Sequence, residues 1–515
     1  MAADRYGDKA AIISGEKQLS YNDLDRESNR AARAFSQLGI GRGDRVAFLL
    51  GNSPDFIVAF FGVVKVGAIA VPLDPKYKLT ELTSLFNDCQ PKILLTESPC
   101  LELVSASRDR FPFLKNIFSL DSLPLTKTGI RLDAGTGNFA DLLSSMSPET
   151  LLFEAGDDDI AVIAYTSGAS LSPRGIMLSH QSISIEAEIS GEGFAQTERD
   201  IVPVFALPLH HAAGLIIVGL TSFYRGSTLV MISGMSISNL LETIEKERAT
   251  LFIGVPFIFS LMVQHAEKEG LKNNLDSLRL CASGGSPLFV AVSQRFKELY
   301  GHHIAQFWGL TEITAHITVQ APDGSGIPGS IGKPLQGCEV RVIDETGQEL
   351  PPGHTGELIC RGPLMKGYYN NPEATAEIIK HGWLQTGDIG YIDIDGNIFI
   401  TGRKKDLIIP KGQNIAPSDI ETVLLKHPKV AEVAVLGLPD DSRGEVIMAI
   451  IHLKSGQTAT ESEMRRLCLE NLANFKVPKE YTFVDFTLQS TDGRIDKETL
   501  RRQLSLPPVF PYNPS

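Results

Sequence analysis

Cysteine is scarce in this 515-residue chain: there are six, at positions 89, 100, 281, 338, 360 and 468, and none stands in a C-x-x-C pair. That scatter excludes a disulfide framework and a paired-cysteine zinc site. No apolar run is long enough for a transmembrane segment, and the opening Met1-Ala2-Ala3-Asp4-Arg5 lacks the apolar core of a signal peptide, so a cytoplasmic protein is expected. Positive charge is in deficit, with 48 Lys and Arg against 61 Asp and Glu, and the resulting net charge of −13 weighs against nucleic acid as a partner. Any anionic ligand must then meet a locally positive pocket. No internal repeat and no low-complexity tract is present.

Hydrophobic residues make up 43% of the chain and charged residues 21%, ordinary globular values that argue against disorder. The length exceeds what one core usually supports, so two or more domains are expected. Short apolar runs at 45–50, 68–72, 92–96, 160–164, 228–232 and 251–255 alternate with helix-length segments. Continuous apolar strands of this kind belong to sheets covered on both faces. Ser20 caps a helical pattern that runs through Phe35 and is closed by Gly39. The expected fold is α/β, with a large layered N-terminal domain of mainly parallel sheets. After about Gly402 the pattern changes to a small α+β unit: a helix from Ser418, strands near 430–436 and 446–453, then a helix from Glu461. The expected domains are 1–402 and 403–515, the latter ending in a proline-rich, extended tail.

Four segments carry the chemistry. Tyr165-Thr166-Ser167-Gly168-Ala169-Ser170-Leu171-Ser172-Pro173-Arg174-Gly175 combines clustered hydroxyls, glycines that let backbone N–H groups approach a ligand, and one cation, the ingredients of a polyphosphate cradle. It is not a Walker loop, since G-x-x-x-x-G-K-[ST] is missing, and taken alone it also reads as a Ser/Gly-rich surface turn. Gln306-Phe307-Trp308-Gly309-Leu310-Thr311-Glu312 puts an aromatic face, a hydroxyl and a carboxylate on one short stretch, with a strand end and a core tryptophan as the structural alternative. Thr386-Gly387-Asp388 and Thr401-Gly402-Arg403 supply a carboxylate able to accept from two ribose hydroxyls and a planar, permanently charged fork. Gly-Asp pairs also make plain turns.

In order and spacing these segments resemble the adenylate-forming superfamily of acyl-CoA synthetases, peptide-synthetase adenylation domains and beetle luciferases, and in pattern the chain is similar to bacterial fatty acyl-CoA ligases. The resemblance runs from Tyr21-Asn22-Asp23-Leu24 to about Arg501. It implies ATP with Mg²⁺, and CoA, as ligands. Thr166, Ser167, Gly168 and Arg174 would surround the phosphates; Trp308 would stack on adenine, Thr311 touch phosphate and Glu312 hold Mg²⁺. Asp388 would bind the ribose and Arg403 the ribose or phosphate. Gly284 and Gly285, in Ser283-Gly284-Gly285-Ser286-Pro287-Leu288, match a loop contacting adenine and the acyl group. His211 aligns with a gate beside the substrate carboxylate, a packed histidine at a helix start being the alternative. Lys411 and Gly412 fall in a loop that lines the pantetheine tunnel, and Lys405 falls at the hinge about which the small domain rotates. Arg494 stands where the family carries a lysine that bridges carboxylate and phosphate during adenylation. The chain departs from the family pattern there, at Ala169, Ser170, Leu171 and Arg174, and at Trp308 in place of tyrosine.

The implied reaction has two halves: a carboxylate attacks the α-phosphate of ATP, giving acyl-AMP and pyrophosphate, and a thiol then displaces AMP. An acid of pKa about 4–5 is already ionised at neutral pH, so the first half needs alignment and charge neutralisation rather than a general base. The apolar stretch 214–220 beside His211 reads as an acyl-tunnel wall or as core; a fatty or similarly apolar acid is expected, with an aryl acid open. Two rival readings stand beside this one: an adenylation enzyme loading a carrier protein, and a degenerate nucleotide- or acyl-CoA-binding protein. A luciferase-like oxygenase is disfavoured by Ile409, where that branch has lysine, and by the missing Ser-Lys-Leu terminus. A monomer or homodimer is expected.

Overall fold

The computed structural model describes residues 2–121, 135–151, 155–165, 174–232, 234, 236–406, 408, 415, 417–440, 444–472, 474–489 and 495–506. Among them the apolar runs form the strands they suggest. Arg45–Leu49, Ile69–Leu73, Ile93–Thr96 and Ile160–Tyr165 pair in parallel at the centre of an eight-stranded sheet. Successive side chains of such strands point to opposite faces. Val46 and Phe48 accordingly pack with the helices Tyr21–Gln37 and Pro54–Lys65, while Ala47 and Leu49 pack with the helix Leu79–Cys89 on the other side. Both faces are covered, so every residue of Ile69–Leu73 is buried. The Tyr21–Gln37 helix starts where its capping box dictates: Ser20 accepts from the Asp23 N–H at 3.0 Å and the Asp23 carboxylate accepts from the Ser20 N–H at 3.0 Å.

A second sheet pairs Ile201–Val204, Thr228–Met231 and Ala10–Ser14 in parallel, with Lys17–Ser20 antiparallel at its edge. A third holds Leu251–Gly254, Leu280–Ser283 and Ile304–Trp308 in parallel, followed by the short antiparallel strands Thr318–Val319 and Lys333–Pro334. A fourth sheet is antiparallel throughout: Glu339–Ile343, Gly356–Arg361, Trp383–Ile392 and Ile398–Arg403. It sets Gly356–Arg361, Trp383–Ile392 and Ile398–Arg403 side by side. The fifth sheet, Val430–Asp440, Gly444–Leu453 and Glu480–Val484, packs with the helices Pro417–Leu424 and Glu461–Asn471.

Buried apolar residues up to Ile398 cluster with one another, whereas those from Ile408 onward form two clusters of their own. Among the described residues, polar contacts across this divide include Lys404 Nζ, 2.7 Å from Glu357 Oε2, and the Ser418 hydroxyl, which donates to the Thr401 carbonyl. No helix among the described residues is long and apolar enough to cross a membrane.

Candidate active site

Strand register assembles the first cluster. In the antiparallel pair Trp383–Ile392 and Ile398–Arg403, Asp388 stands directly opposite Arg403, and Arg403 Nε lies 2.9 Å from Asp388 Oδ1. Trp308, the last residue of its strand, donates its indole N–H to Asp388 Oδ2 at 2.8 Å. Each carboxylate oxygen therefore holds one donor and keeps a lone pair for another. Asp388 is 3% exposed, and burial pushes its carboxyl above the ordinary value, with Arg403 and the Trp308 hydrogen bond acting the other way. Thr386 fixes the approach by accepting from the Asp388 N–H at 3.0 Å and donating to the Leu358 carbonyl at 2.6 Å. Trp308 is itself 8% exposed and packs against Ile313, Ile317 and Leu358.

The second cluster lies four residues along the same segment. Thr311 and Glu312 sit in the 3₁₀ turn Thr311–Ile313, which ends at Thr314 with φ of 70°, an uncommon backbone for a β-branched residue. Thr314 is held there by donating its hydroxyl to the Pro363 carbonyl. Gly309 must be glycine, because a Cβ would come 2.1 Å from the Ala315 carbonyl oxygen. Glu312 Oε1 accepts from the Tyr368 hydroxyl at 2.9 Å, and the Arg174 guanidinium lies over the Tyr368 ring, 5.2 Å from its centroid. These partners meet because Gly367–Tyr368 pairs with Gly175–Ser179, the strand that follows Arg174. Burial pushes the Tyr368 phenol well up, and the Glu312 charge adds to it, so the phenol donates.

Gly284 and Gly285 follow the strand Leu280–Ser283. A Cβ on Gly284 would lie 2.4 Å from the Phe307 ring, and Gly285 has φ of 84°, so both positions exclude larger residues. His211 lies in the loop before an apolar π-helix, Ala213–Leu220, whose residues from Gly214 onward are buried in the main core. Asn52 shapes that loop by accepting from the Leu209 N–H at 2.8 Å and donating to the Leu207 carbonyl at 3.3 Å. The adjacent His210 is buried, with its Nε2 3.8 Å from Asp74 Oδ2; burial, then His211 and Lys76, pull its pKa down to about 3, so it is neutral at physiological pH.

Thr166, Ser167, Gly168, Lys411, Gly412 and Arg494 lie outside the described residues. The backbone of Lys405 lies in the 3₁₀ turn Lys404–Asp406. Lys497, three residues after Arg494 in the chain, pairs with Glu421 at 2.9 Å and so is engaged within the small unit. Two residues escaped the sequence reading as site candidates. Tyr368 carries no charge and is flanked by the uncharged Gly367, Tyr369, Asn370 and Asn371. Glu357 accepts from the Gly387 N–H at 3.3 Å while pairing with Lys404, and so braces the turn before Asp388.

A family model for the AMP-binding enzyme matches residues 1–369, and one for the AMP-binding enzyme C-terminal domain matches residues 419–492. A long-chain-fatty-acid–CoA ligase of Bacillus subtilis (strain 168) is 33% identical over 527 residues, covering 98% of this chain and 92% of its own length. Among solved structures, ATP-bound MatB from Rhodopseudomonas palustris is 30% identical with a TM-score of 0.88 over 96% of each chain. The anthranilate CoA ligase AuaEII in complex with anthranoyl-AMP is 28% identical, also with a TM-score of 0.88, over 98% of this chain and 96% of its own. With both family models in order along a chain of matching architecture, the protein belongs to the AMP-binding, adenylate-forming enzymes and is an AMP-forming acyl-CoA ligase.

Proposed function

We propose that the ligase activates an apolar carboxylic acid, fatty before aryl, as its acyl-adenylate and passes the acyl group to CoA. The observation that carries this reading is that one segment delivers a residue to each polar cluster: Trp308 to Asp388 and Arg403, and Glu312 to Tyr368 and Arg174. A nucleotide laid along 308–312 would meet the carboxylate with its ribose and the cation with its phosphates. Asp388 then accepts from the ribose hydroxyls, Arg403 supplies charge beside it, Trp308 offers a ring face to the nucleotide, and Thr311 and Arg174 take phosphate oxygens.

Mg²⁺ enters as part of the nucleotide substrate. No group of three His, Cys, Asp or Glu among the described residues is arranged to hold a metal. One carboxylate, Glu312, suits an ion that keeps its waters and is carried by phosphates. The substrate carboxylate oxygen bonds to the α-phosphorus as the bond to pyrophosphate breaks; the CoA thiol then loses its proton to solvent and its sulfur bonds to the acyl carbon as AMP leaves with the bonding pair. His211 flanks the carboxylate, Gly284 and Gly285 lie against the adenine and acyl group, and Arg494 bridges the reacting oxygens. Thr166, Ser167 and Gly168 complete the phosphate cradle, Lys411 and Gly412 line the thiol's approach, and the small unit turns about Lys405 between the two steps.

Support for a fatty acid comes from the Bacillus subtilis relative, and for an aryl acid from AuaEII. Pyrophosphate and acyl-CoA are measured with carboxylic acids of graded length and aromaticity, with and without CoA. Thioester formation with apolar acids is expected; acyl-AMP that only a carrier-protein thiol can discharge would overturn the CoA assignment.

A further inference from the structure

The loop that carries His211 is clamped by a single side chain from another part of the fold. Asn52 Oδ1 accepts from the Leu209 N–H at 2.8 Å, and Asn52 Nδ2 donates to the Leu207 carbonyl at 3.3 Å. The two bonds fall on either side of Pro208. The Leu209 N–H and the Pro208 carbonyl are opposite poles of one planar peptide unit, so holding the N–H also aims the carbonyl. That carbonyl accepts from the His211 N–H at 3.0 Å. A Cβ on Gly214 would come 2.1 Å from the Pro208 oxygen, so the start of the helix Ala213–Leu220 closes on it from the far side. His211 thus takes its backbone position from a peptide held between Asn52 and that helix. The clamp needs an amide, because one acceptor and one donor must come from the same side chain.

Asn52 is itself placed by the sheet. It follows Arg45–Leu49, whose parallel neighbours are Ile69–Leu73 on one side and Ile93–Thr96 on the other. The chain leaves this strand for one neighbour and returns for the other, with the helices Pro54–Lys65 and Leu79–Cys89 packed on opposite faces. Such a reversal is a topological switch point, and open α/β sheets receive ligands in the crevice outside the carboxyl ends of the strands there. Glu97, just past Ile93–Thr96, accepts from the Gly51 N–H at 3.0 Å and ties the two strand ends together beside Asn52. The loop carrying His211 is therefore fastened to the rim of that crevice.

We propose that Asn52 is a positioning residue for activation of the acid: it aims the Pro208–Leu209 peptide and, through it, sets His211 beside the substrate carboxylate. The inference rests on the role given to His211 above. A clamp serving stability alone would matter equally whatever stands at position 211, whereas a clamp that acts through His211 loses its value once the imidazole is gone.

The test is a double-mutant cycle of Asn52 and His211, read as pyrophosphate release against the concentration of the best acid of the graded series, with ATP affinity titrated calorimetrically in the absence of acid. Asn52→Ala is expected to lower kcat/KM for the acid at least about tenfold, as small misplacements of a substrate-orienting group do, while ATP affinity stays at the wild-type value. Asn52→Asp, which exchanges only the donating nitrogen for an oxygen, is expected to show the same selective loss and serves if the alanine variant is poorly folded. In a His211→Ala background neither substitution is expected to cost anything further. A loss of equal size in both backgrounds, or one shared by ATP affinity, makes Asn52 a structural brace and overturns the proposal. Wild-type kcat/KM in both Asn52 variants also overturns it and spares His211. If His211→Ala itself leaves kcat/KM for the acid unchanged, the role given to His211 falls, and this inference with it.

Discussion

At the scale of the residue, Asp388 concentrates the most consequence in one side chain. It is nearly inaccessible, its two oxygens are already held by Trp308 and Arg403, and what remains is lone-pair capacity aimed by those two partners. Asp388→Ala should weaken ATP binding by about 1.5–3 kcal/mol, the value of hydrogen bonds to a charged group, as read by calorimetric titration. Because burial raises this carboxyl, acid should remove its charge above the ordinary aspartate value of about 3.9, giving an acid limb in kcat/KM for ATP that begins earlier than for a free carboxylate. Unchanged ATP affinity in the alanine variant would put the ribose elsewhere. The sequence made Asp388, Arg403 and Glu312 legible because charged residues at motif spacing are rare enough to stand out. Tyr368 was not legible as their partner, since its role comes from a two-residue strand pairing with a segment nearly two hundred residues earlier.

At the scale of the element, local signals and long-range pairing divide the work. The Ser20 cap, the strand-end glycines of 284–285 and the helix at Glu461 follow from nearest neighbours in the chain, and each stands where its residues predict. The antiparallel sheet of 339–403 does not, because alternation within each strand says nothing about which strand lies beside it. Its last strand runs straight into the 3₁₀ turn that contains Lys405, with Arg403 tied to Asp388 and Lys404 to Glu357. The proposed rotation of the small unit would have to pass through that turn. Lys405→Pro fixes φ near about −65° and removes an N–H, so acyl-AMP formation should remain measurable while thioester formation falls at least about tenfold, equivalent to about 1.4 kcal/mol of barrier. Separate assays of pyrophosphate release and of acyl-CoA from supplied acyl-AMP distinguish the two, and equal loss of both would count against a hinge there.

At the scale of the whole molecule, one buried carboxylate joins two sheets. Asp200, Thr250 and Arg279 each immediately precede a strand, Ile201–Val204, Leu251–Gly254 and Leu280–Ser283 respectively. Asp200 Oδ1 accepts from Arg279 Nε at 2.8 Å and from the Thr250 hydroxyl at 2.7 Å, and Oδ2 accepts from Arg279 Nη2 at 2.7 Å and the Thr197 N–H at 2.7 Å. Burial alone would raise this carboxyl, but the donors outweigh it and hold it below the ordinary range. A folded-state pKa below the unfolded value means that the stabilisation is present above about pH 4 and is lost as pH falls through the lower, folded value. Arg279→Ala strands the carboxylate. It should lower stability to urea by about 2 kcal/mol, less than for a fully enclosed pair because the guanidinium is partly solvated. The difference from wild type should stay level between about pH 5 and 8 and shrink in stronger acid. A difference that grows on acidification would contradict the assignment of charge.

Sequence by itself determined the layered α/β class, the family, the order of the motifs and most of the charged site candidates, because hydrophobic period and motif spacing are properties of the chain's own neighbours. Only tertiary structure decided that Trp308 bonds Asp388 from eighty residues away, that Tyr368 joins Glu312 to Arg174, and that Glu186 meets His316 across 130 residues of chain. Such pairs leave no periodic trace: a hydrogen bond needs its two atoms within about 3 Å, and for residues so far apart in sequence only the packing of strands and helices against one another sets that distance.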